Sequence, residues 1–247
     1  MPLISCILPT RDRQQFLPHA IRYHQRQSIS SQAELIIVDD STESCRQLVP
    51  PSGDIHYIRL NERTALGEKL NIGIAHSSGR IIQKLDDDDY YSPSFLERTS
   101  DALLASDPEH NIVASDTFLV LVAGYQHLFH AGYGWFTGAS FCFPRVLWER
   151  APFRNAPSRV DVLFLEDHPS ATRIVVSDPE LLVVVRHGNN TWTHMKPKPE
   201  RKLSVPIIGE TGENVTDYFQ RCPIYYKSLA DVVGAENFPF YVSLQTS

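Results

Sequence analysis

The segment Ile81-Ile82-Gln83-Lys84-Leu85-Asp86-Asp87-Asp88-Asp89 runs a short apolar stretch directly into four consecutive aspartates. Five mainly apolar residues suit a buried strand better than a helix, which needs a longer periodic run. Carboxylates a few ångströms apart repel, and some must take up protons unless the charge is compensated. A solvated loop is one way to relieve that repulsion. A buried strand that delivers the side chains to the mouth of a sheet points instead to a divalent cation. Mg²⁺ and Mn²⁺ favour carboxylates combined with substrate phosphate oxygens, so the segment reads as a metal-bridged phosphate site.

The same pattern recurs outward from this run. Leu3 to Leu8 reads as a buried strand stopped by Pro9, and Phe16, Ala20 and Tyr23 follow at helical spacing. Glu34 to Val38 is a second strand ending in Asp39-Asp40, and Ile55 to Leu60 a third. Leu66, Leu70 and Ile74 share one helical face, with Gly79 closing the helix. Ser92-Pro93 opens the next helix, since proline suits a first helical turn. Short strands alternating with amphipathic helices predict an α/β fold with a mostly parallel central sheet flanked by helices. Strands two and four both end in carboxylates, and in open α/β sheets the ligand crevice lies beyond those strand ends.

The second half reads as strands at Ile112 to Val122, Phe136 to Phe143, Arg173 to Val176 and Leu181 to Val185. After Met195 the chain turns polar and proline-rich, and residues 196–247 read as an appendage with one helix near Lys227 to Val233. The 247 residues are 42% hydrophobic, enough for one domain with a full core. A net charge of −6 argues against a basic face for nucleic acid. Cys6, Cys45, Cys142 and Cys222 form no CxxC pair, which argues against a zinc site, and their scatter fits reduced thiols in the cytoplasm better than a disulfide framework. The N-terminus reads as a strand rather than a signal peptide, and no apolar run reaches the ~20 residues of a membrane helix. A cytoplasmic protein, with peripheral attachment to a membrane left open, is the expectation.

The segment Leu85-Asp86-Asp87-Asp88-Asp89-Tyr90-Tyr91-Ser92-Pro93 resembles the DxD region of family 2 glycosyltransferases, which have the GT-A fold. Ile4 to Arg13 resembles their first strand and loop, and Leu35 to Thr42 their second. Leu66 to Ala75 is similar to the helix before their DxD strand. The four segments follow in the family's order across residues 3–96.

That resemblance implies an inverting, metal-dependent transferase with a GT-A catalytic domain over 1–195 and a C-terminal extension over 196–247. Residues 1–96 would form the nucleotide-binding half and 97–195 the acceptor half. The donor would be a nucleotide sugar, with UDP expected by analogy, and the cofactor Mn²⁺ or Mg²⁺. Asp40 would accept a hydrogen bond from the base, Asp39 would orient the loop, and Pro9, Thr10 and Arg11 would line the cleft. Asp88 would ligate the metal, Asp86 would contact ribose or a metal-bound water, and Asp87 would stand beside the nucleotide. Arg63 and Lys69 would approach the diphosphate.

The resemblance also implies that in Val162-Leu163-Phe164-Leu165-Glu166-Asp167 the acidic pair would supply the general base, Asp167 first and Glu166 as its substitute. His187, in Val185-Arg186-His187-Gly188-Asn189-Asn190, would ligate the metal or contact the pyrophosphate. Trp135 and Phe136 would stack on a sugar ring or pack as core, with core slightly favoured. The acceptor is open among glycan, lipid-linked, protein and small-molecule classes, as is a homodimer. A sugar-phosphate nucleotidyltransferase would show a glycine-rich loop where this chain has Pro9-Thr10-Arg11-Asp12-Arg13. A phosphohydrolase with an aspartyl nucleophile would carry its DxD after the first strand. A relative that binds nucleotide or glycan without turnover is the remaining alternative.

Overall fold

The computed structural model describes residues 3–244 apart from 106, 133, 192 and 194–213. The chain divides into two compact units, Met1–Phe118 with Gly132–Val183, and Leu119–Ala131 with Val184–Ser247. The expected boundary at 195/196 lies outside the described residues.

In chain order the elements begin with β1 Ile4–Thr10, α1 Leu17–Gln25, β2 Ala33–Asp39, β3 Ile55–Arg59, α2 Leu66–Ala75 and β4 Ile81–Lys84. They continue with β5 Tyr90–Tyr91, α3 Phe95–Leu104, β6 Asn111–Ser115, β7 Phe118–Val122, β8 Leu128–Ala131 and β9 Cys142–Pro144. Then come α4 Arg145–Arg150, α5 Val160–Asp167, β10 Thr172–Val176 and β11 Leu182–Arg186, followed by α6 Val215–Phe219, α7 Leu229–Val233 and α8 Phe238–Ser243.

The first unit is built on a seven-stranded sheet of order β10-β6-β9-β4-β1-β2-β3. Only β9 runs antiparallel to its neighbours, so the sheet is mostly parallel, as the alternating pattern predicts. Every residue of β1, β2 and β4 is buried, as expected of parallel strands covered on both faces. Leu70 and Ile74 of α2 pack with Ile7, Ile36, Val38 and Ile82 of the sheet, and that core continues into Phe143, Phe153 and Phe164.

Several sequence expectations give way here. Pro9 does not stop β1, which continues to Thr10. Ile7 C=O accepts from Leu85 N, so Pro9, two residues on, turns its ring nitrogen to the same side. The pairing with β4 ends at Lys84, and the missing N–H costs no ladder bond. Gly79 is not the cap of α2, which ends at Ala75; a Cβ on Gly79 would lie 2.7 Å from Ser5 N, so close backbone approach demands the glycine. Ile112 to Val122 breaks at Asp116-Thr117 into β6 and β7, and Phe136 to Phe143 is mostly turn and 3₁₀ helix before β9. Tyr90–Tyr91 form a short strand paired with Leu182 and Val183, and α3 begins at Phe95 rather than at Ser92.

In the second unit β11, β7 and β8 lie side by side in that order. Phe129 bridges to Ile224, and Ala123 N donates to Arg186 O at 2.8 Å. The helix expected near 227–233 is α7, started by a Ser228–Asp231 capping box, and α6 and α8 flank it in sequence. Val215, Phe219, Leu229, Val233 and Tyr241 are buried. No helix among the described residues is long and apolar enough to cross a membrane.

Candidate functional site

Adjacent parallel strands put their carboxyl ends side by side. The β1–β2 register pairs Thr10 with Asp39, and the β1–β4 register pairs Ile7 with Lys84. The first loop, the Asp39-Asp40 pair and the acidic run therefore meet at one edge. Thr10 Oγ1 donates to Asp87 Oδ2 at 2.6 Å, and one Arg13 nitrogen reaches Asp87 Oδ1 at 2.6 Å and Asp88 Oδ2 at 2.9 Å. Lys84 pairs with Asp86, whose side chain is the most open of these three carboxylates, at 32% against 2% and 7% for Asp87 and Asp88. Asp86 N donates to Tyr91 Oη at 2.8 Å, which in turn donates to Ala139 O at 2.9 Å, so β5 braces the turn.

Charge compensation follows these contacts. Burial pushes Asp87 up to about 6, against the pull of Arg13 and with the repulsion of Asp88. Burial draws Arg13 down, but Asp87 and Asp88 outweigh it and hold the guanidinium above its ordinary value. Burial likewise draws Lys84 down, and Asp86, Asp161 and Asp89 together outweigh it. The repulsion expected of four aspartates is met by two internal cations.

The Asp39-Asp40 pair is equally engaged. Asp40 accepts from Lys69 Nζ at 2.7 Å and Thr64 N at 2.9 Å, with Arg11 at 3.9 Å. Lys69, buried and also 3.2 Å from Thr10 O, thus faces Asp40. Arg63 is exposed in the β3–α2 loop, beside that Thr64 contact. Asp39 accepts from Ser41 N at 2.8 Å and Cys45 N at 2.9 Å, and Tyr57 donates its hydroxyl to it. Burial raises Asp39, but these bonds outweigh it and leave the carboxyl below its ordinary range.

The remaining expected residues make other contacts. Asp167 ends α5 and is gripped by Arg154 through bonds of 2.8 and 2.6 Å, with Glu166 3.6 Å from the same guanidinium. That grip draws Asp167 below its ordinary value, the opposite of what a general base needs. His187 lies in the second unit, in the turn after β11, where its Nδ1 accepts from Asn189 N at 3.2 Å. Phe136 packs on Phe141 at 5.4 Å and Trp135 on Phe118 at 5.8 Å.

Asp161, which the sequence reading passes over, lies closer to the acidic run. It sits in the first turn of α5, and a Cβ on Gly138 would meet its carboxylate at 2.6 Å. It also acts electrostatically on Lys84, the partner of Asp86. Arg159, left-handed at φ 59°, sets the start of that helix. The sequence signal was an acid in a helical first turn, at Ser158-Arg159-Val160-Asp161, which a helix stripe as apolar as Val162-Leu163-Phe164-Leu165 obscures.

Hard oxygen donors from Asp86 and Asp88 suit Mg²⁺ or Mn²⁺. Among the described residues no three His, Cys, Asp or Glu side chains converge as a complete ligand set. Such an ion would therefore need oxygens from phosphate or water as well.

A family model described as glycosyl transferase family 2 matches residues 5–148, more than half of the chain, from β1 through α4. The chain belongs to glycosyl transferase family 2. The WcaA protein of Escherichia coli (strain K12), named as a colanic acid biosynthesis glycosyl transferase, is 38% identical over 100 residues, covering 38% of this chain and 36% of that protein. Among solved structures, the mannosyltransferase PcManGT of Pyrobaculum calidifontis, in complex with GDP-Man and Mn²⁺, superposes with a TM-score of 0.57 at 18% identity. That match covers 75% of this chain and 56% of PcManGT. S. aureus TarS 1-349 in complex with UDP-GlcNAc gives 0.56 at 18% identity, over 77% of this chain and 60% of that one. The family 2 chain thus has the GT-A fold of these transferases, and it spans less than two thirds of the length of each relative.

Proposed function

We propose that this chain transfers a sugar from a nucleotide-diphosphate sugar to an acceptor hydroxyl or amine by direct displacement with inversion. The observation that carries the reading is the cluster of half-buried Asp86 with buried Asp87 and Asp88 at the sheet edge, beside Thr10, Arg11 and Asp40, in a family 2 chain. Relatives named for GDP-Man with Mn²⁺ and for UDP-GlcNAc support a nucleotide-sugar donor.

In this reading Asp88 and Asp86 would hold the divalent ion. A bound Mn²⁺ or Mg²⁺ supplies Lewis-acid stabilisation of the charge developing on the leaving diphosphate. Asp40, fixed by Lys69 and Thr64, shapes the base end of the cleft together with Pro9 and Arg11. Arg63, exposed in the β3–α2 loop next to Thr64, is the candidate to meet phosphate. Asp161 takes the acceptor proton in preference to Asp167, because Arg154 occupies both Asp167 oxygens. The donor nucleotide is expected to be UDP.

The test is calorimetric titration of UDP and GDP with Mn²⁺ and with EDTA, on the wild type and on Asp88→Ala. UDP binding that requires both Mn²⁺ and Asp88 supports the reading. GDP binding under the same requirement keeps the site and changes the base. No binding of either nucleotide overturns it.

A further inference from the structure

We infer that Arg13 is a positioning residue that competes with the divalent cation for Asp88, holding the acidic run in register until the ion takes its place. The inference deepens the donor-site reading above and rests on it.

The backbone aims this side chain deliberately. Asp12 has φ 51°, a left-handed conformation that costs a non-glycine residue on the order of 1 kcal/mol or more. Two bonds to the loop after β2 hold it there: Asp12 N donates to Ser41 Oγ at 2.8 Å, and its carboxylate accepts from Thr42 N at 2.7 Å. The next residue is pinned from the other side, since Arg13 C=O accepts from Phe16 N at 3.0 Å and Leu17 N at 3.3 Å at the start of α1. Loop and helix together swing the guanidinium across the end of β1 and onto the aspartates.

There one nitrogen lies 2.6 Å from Asp87 Oδ1 and 2.9 Å from Asp88 Oδ2, and the side chain is only 16% exposed. The two contacts differ in kind. Asp87 is also bonded by Thr10 and is 2% exposed, which makes it the permanent anchor of the guanidinium. Asp88 is the more open of the two, and it is the carboxylate assigned to the metal. A cation cannot share Asp88 Oδ2 with a guanidinium at 2.9 Å without electrostatic cost. An ion taken up at Asp88 Oδ2 therefore competes with the Arg13–Asp88 contact while Arg13–Asp87 remains. The protein thus lowers its affinity for the bare ion.

The experiment is a Mn²⁺ titration followed by electron paramagnetic resonance, with and without UDP, on the wild type, Arg13→Gln and Arg13→Lys. Circular dichroism checks the fold of each. Without UDP, Arg13→Gln is expected to bind Mn²⁺ about tenfold more tightly, the equilibrium equivalent of one released charge-assisted hydrogen bond. Arg13→Lys, whose single point charge bridges two carboxylates less well, should fall between it and the wild type. Should Arg13→Gln fail to fold, tighter Mn²⁺ binding by Arg13→Lys carries the same conclusion.

Unchanged or weaker Mn²⁺ binding by the folded variants overturns the inference, because a purely structural Arg13 would loosen the site. If those variants behave so while the wild type binds Mn²⁺ with UDP, the donor site stands and only the role of Arg13 falls. A wild type that binds no Mn²⁺ even with UDP overturns both.

Discussion

Asp161 and Asp167 stand six residues apart on α5, which at about 1.5 Å per residue separates them by roughly 9 Å along the helix. One lies over Gly138 near the Lys84–Asp86 pair, and the other is clamped by Arg154. Removing a general base costs roughly 10²- to 10⁴-fold in rate. Asp161→Asn should therefore lower kcat by that order with little change in nucleotide affinity. Asp167→Asn should leave kcat within a few-fold, and steady-state kinetics with a transferring donor–acceptor pair decides between them. The reverse ranking would return the base to Asp167. The acidic run was legible at this scale because its meaning is local: four charges directly after a buried strand. The base was not, since two acidic residues on one short helix look alike until the groups facing them are known.

At the scale of elements, the edge depends on α2 being held against the segment before α5. Gly67 N donates to Ala156 O at 3.0 Å, and a Cβ on Gly67 would lie 2.0 Å from Arg154 O. Because the obstacle is backbone, it cannot rotate away. Gly67→Ala is expected to destabilise the fold by about 1–3 kcal/mol through overpacking, read as a lowered urea midpoint with an unchanged m-value. A neutral or stabilising result would show that the 153–156 segment yields easily. Element types came largely from periodicity, and β1 to β4 with their helices were legible for that reason. Pro9 was misread because the cost of a missing N–H depends on whether a neighbouring strand is there to receive it. The break at Asp116-Thr117 was missed although Ser115-Asp116-Thr117 interrupts the apolar run, because the apolar residues on both sides of it read as one strand.

Across the whole molecule, buried titratable groups shape how stability varies with pH. His24 is 1% exposed and neither ring nitrogen finds a hydrogen-bond partner among the described residues. Burial, partly offset by Asp54, pulls its pKa from 6.5 to about 4. The unfolded chain then binds the proton more readily between pH 4 and 6.5, so stability rises with pH through that window. The span corresponds to at most about 3 kcal/mol lost between neutral pH and pH 4. Glu34 adds to this at lower pH. Burial raises it, but bonds from Ser78, Ser5 and Gly79 outweigh that and hold it below its ordinary value. A lowered carboxyl contributes stability that is present above the unfolded range and is lost as pH falls through the folded value. Asp87, raised to about 6, acts in the opposite sense over nearly the same range, so the His24 contribution is read as a difference: in urea melts at pH 7, 5 and 4, His24→Leu should gain stability relative to the wild type as pH falls. An unchanged slope in that variant would place the acid sensitivity elsewhere.

By itself the sequence determined the alternation of strands and helices in residues 3–96, the mostly parallel sheet, and the arrival of two acidic clusters at one edge. Each follows from short-range periodicity and from the rule that ligands gather beyond the carboxyl ends of parallel strands. Tertiary structure alone decided which charges meet: Arg13 on Asp87 and Asp88, Lys69 on Asp40, Arg154 on Asp167, Asp161 over Gly138. The reason is that a carboxylate's chemistry is set by its desolvation and its nearest counter-ion. In this chain those counter-ions lie between 13 and 75 residues away in sequence, beyond the reach of any local pattern.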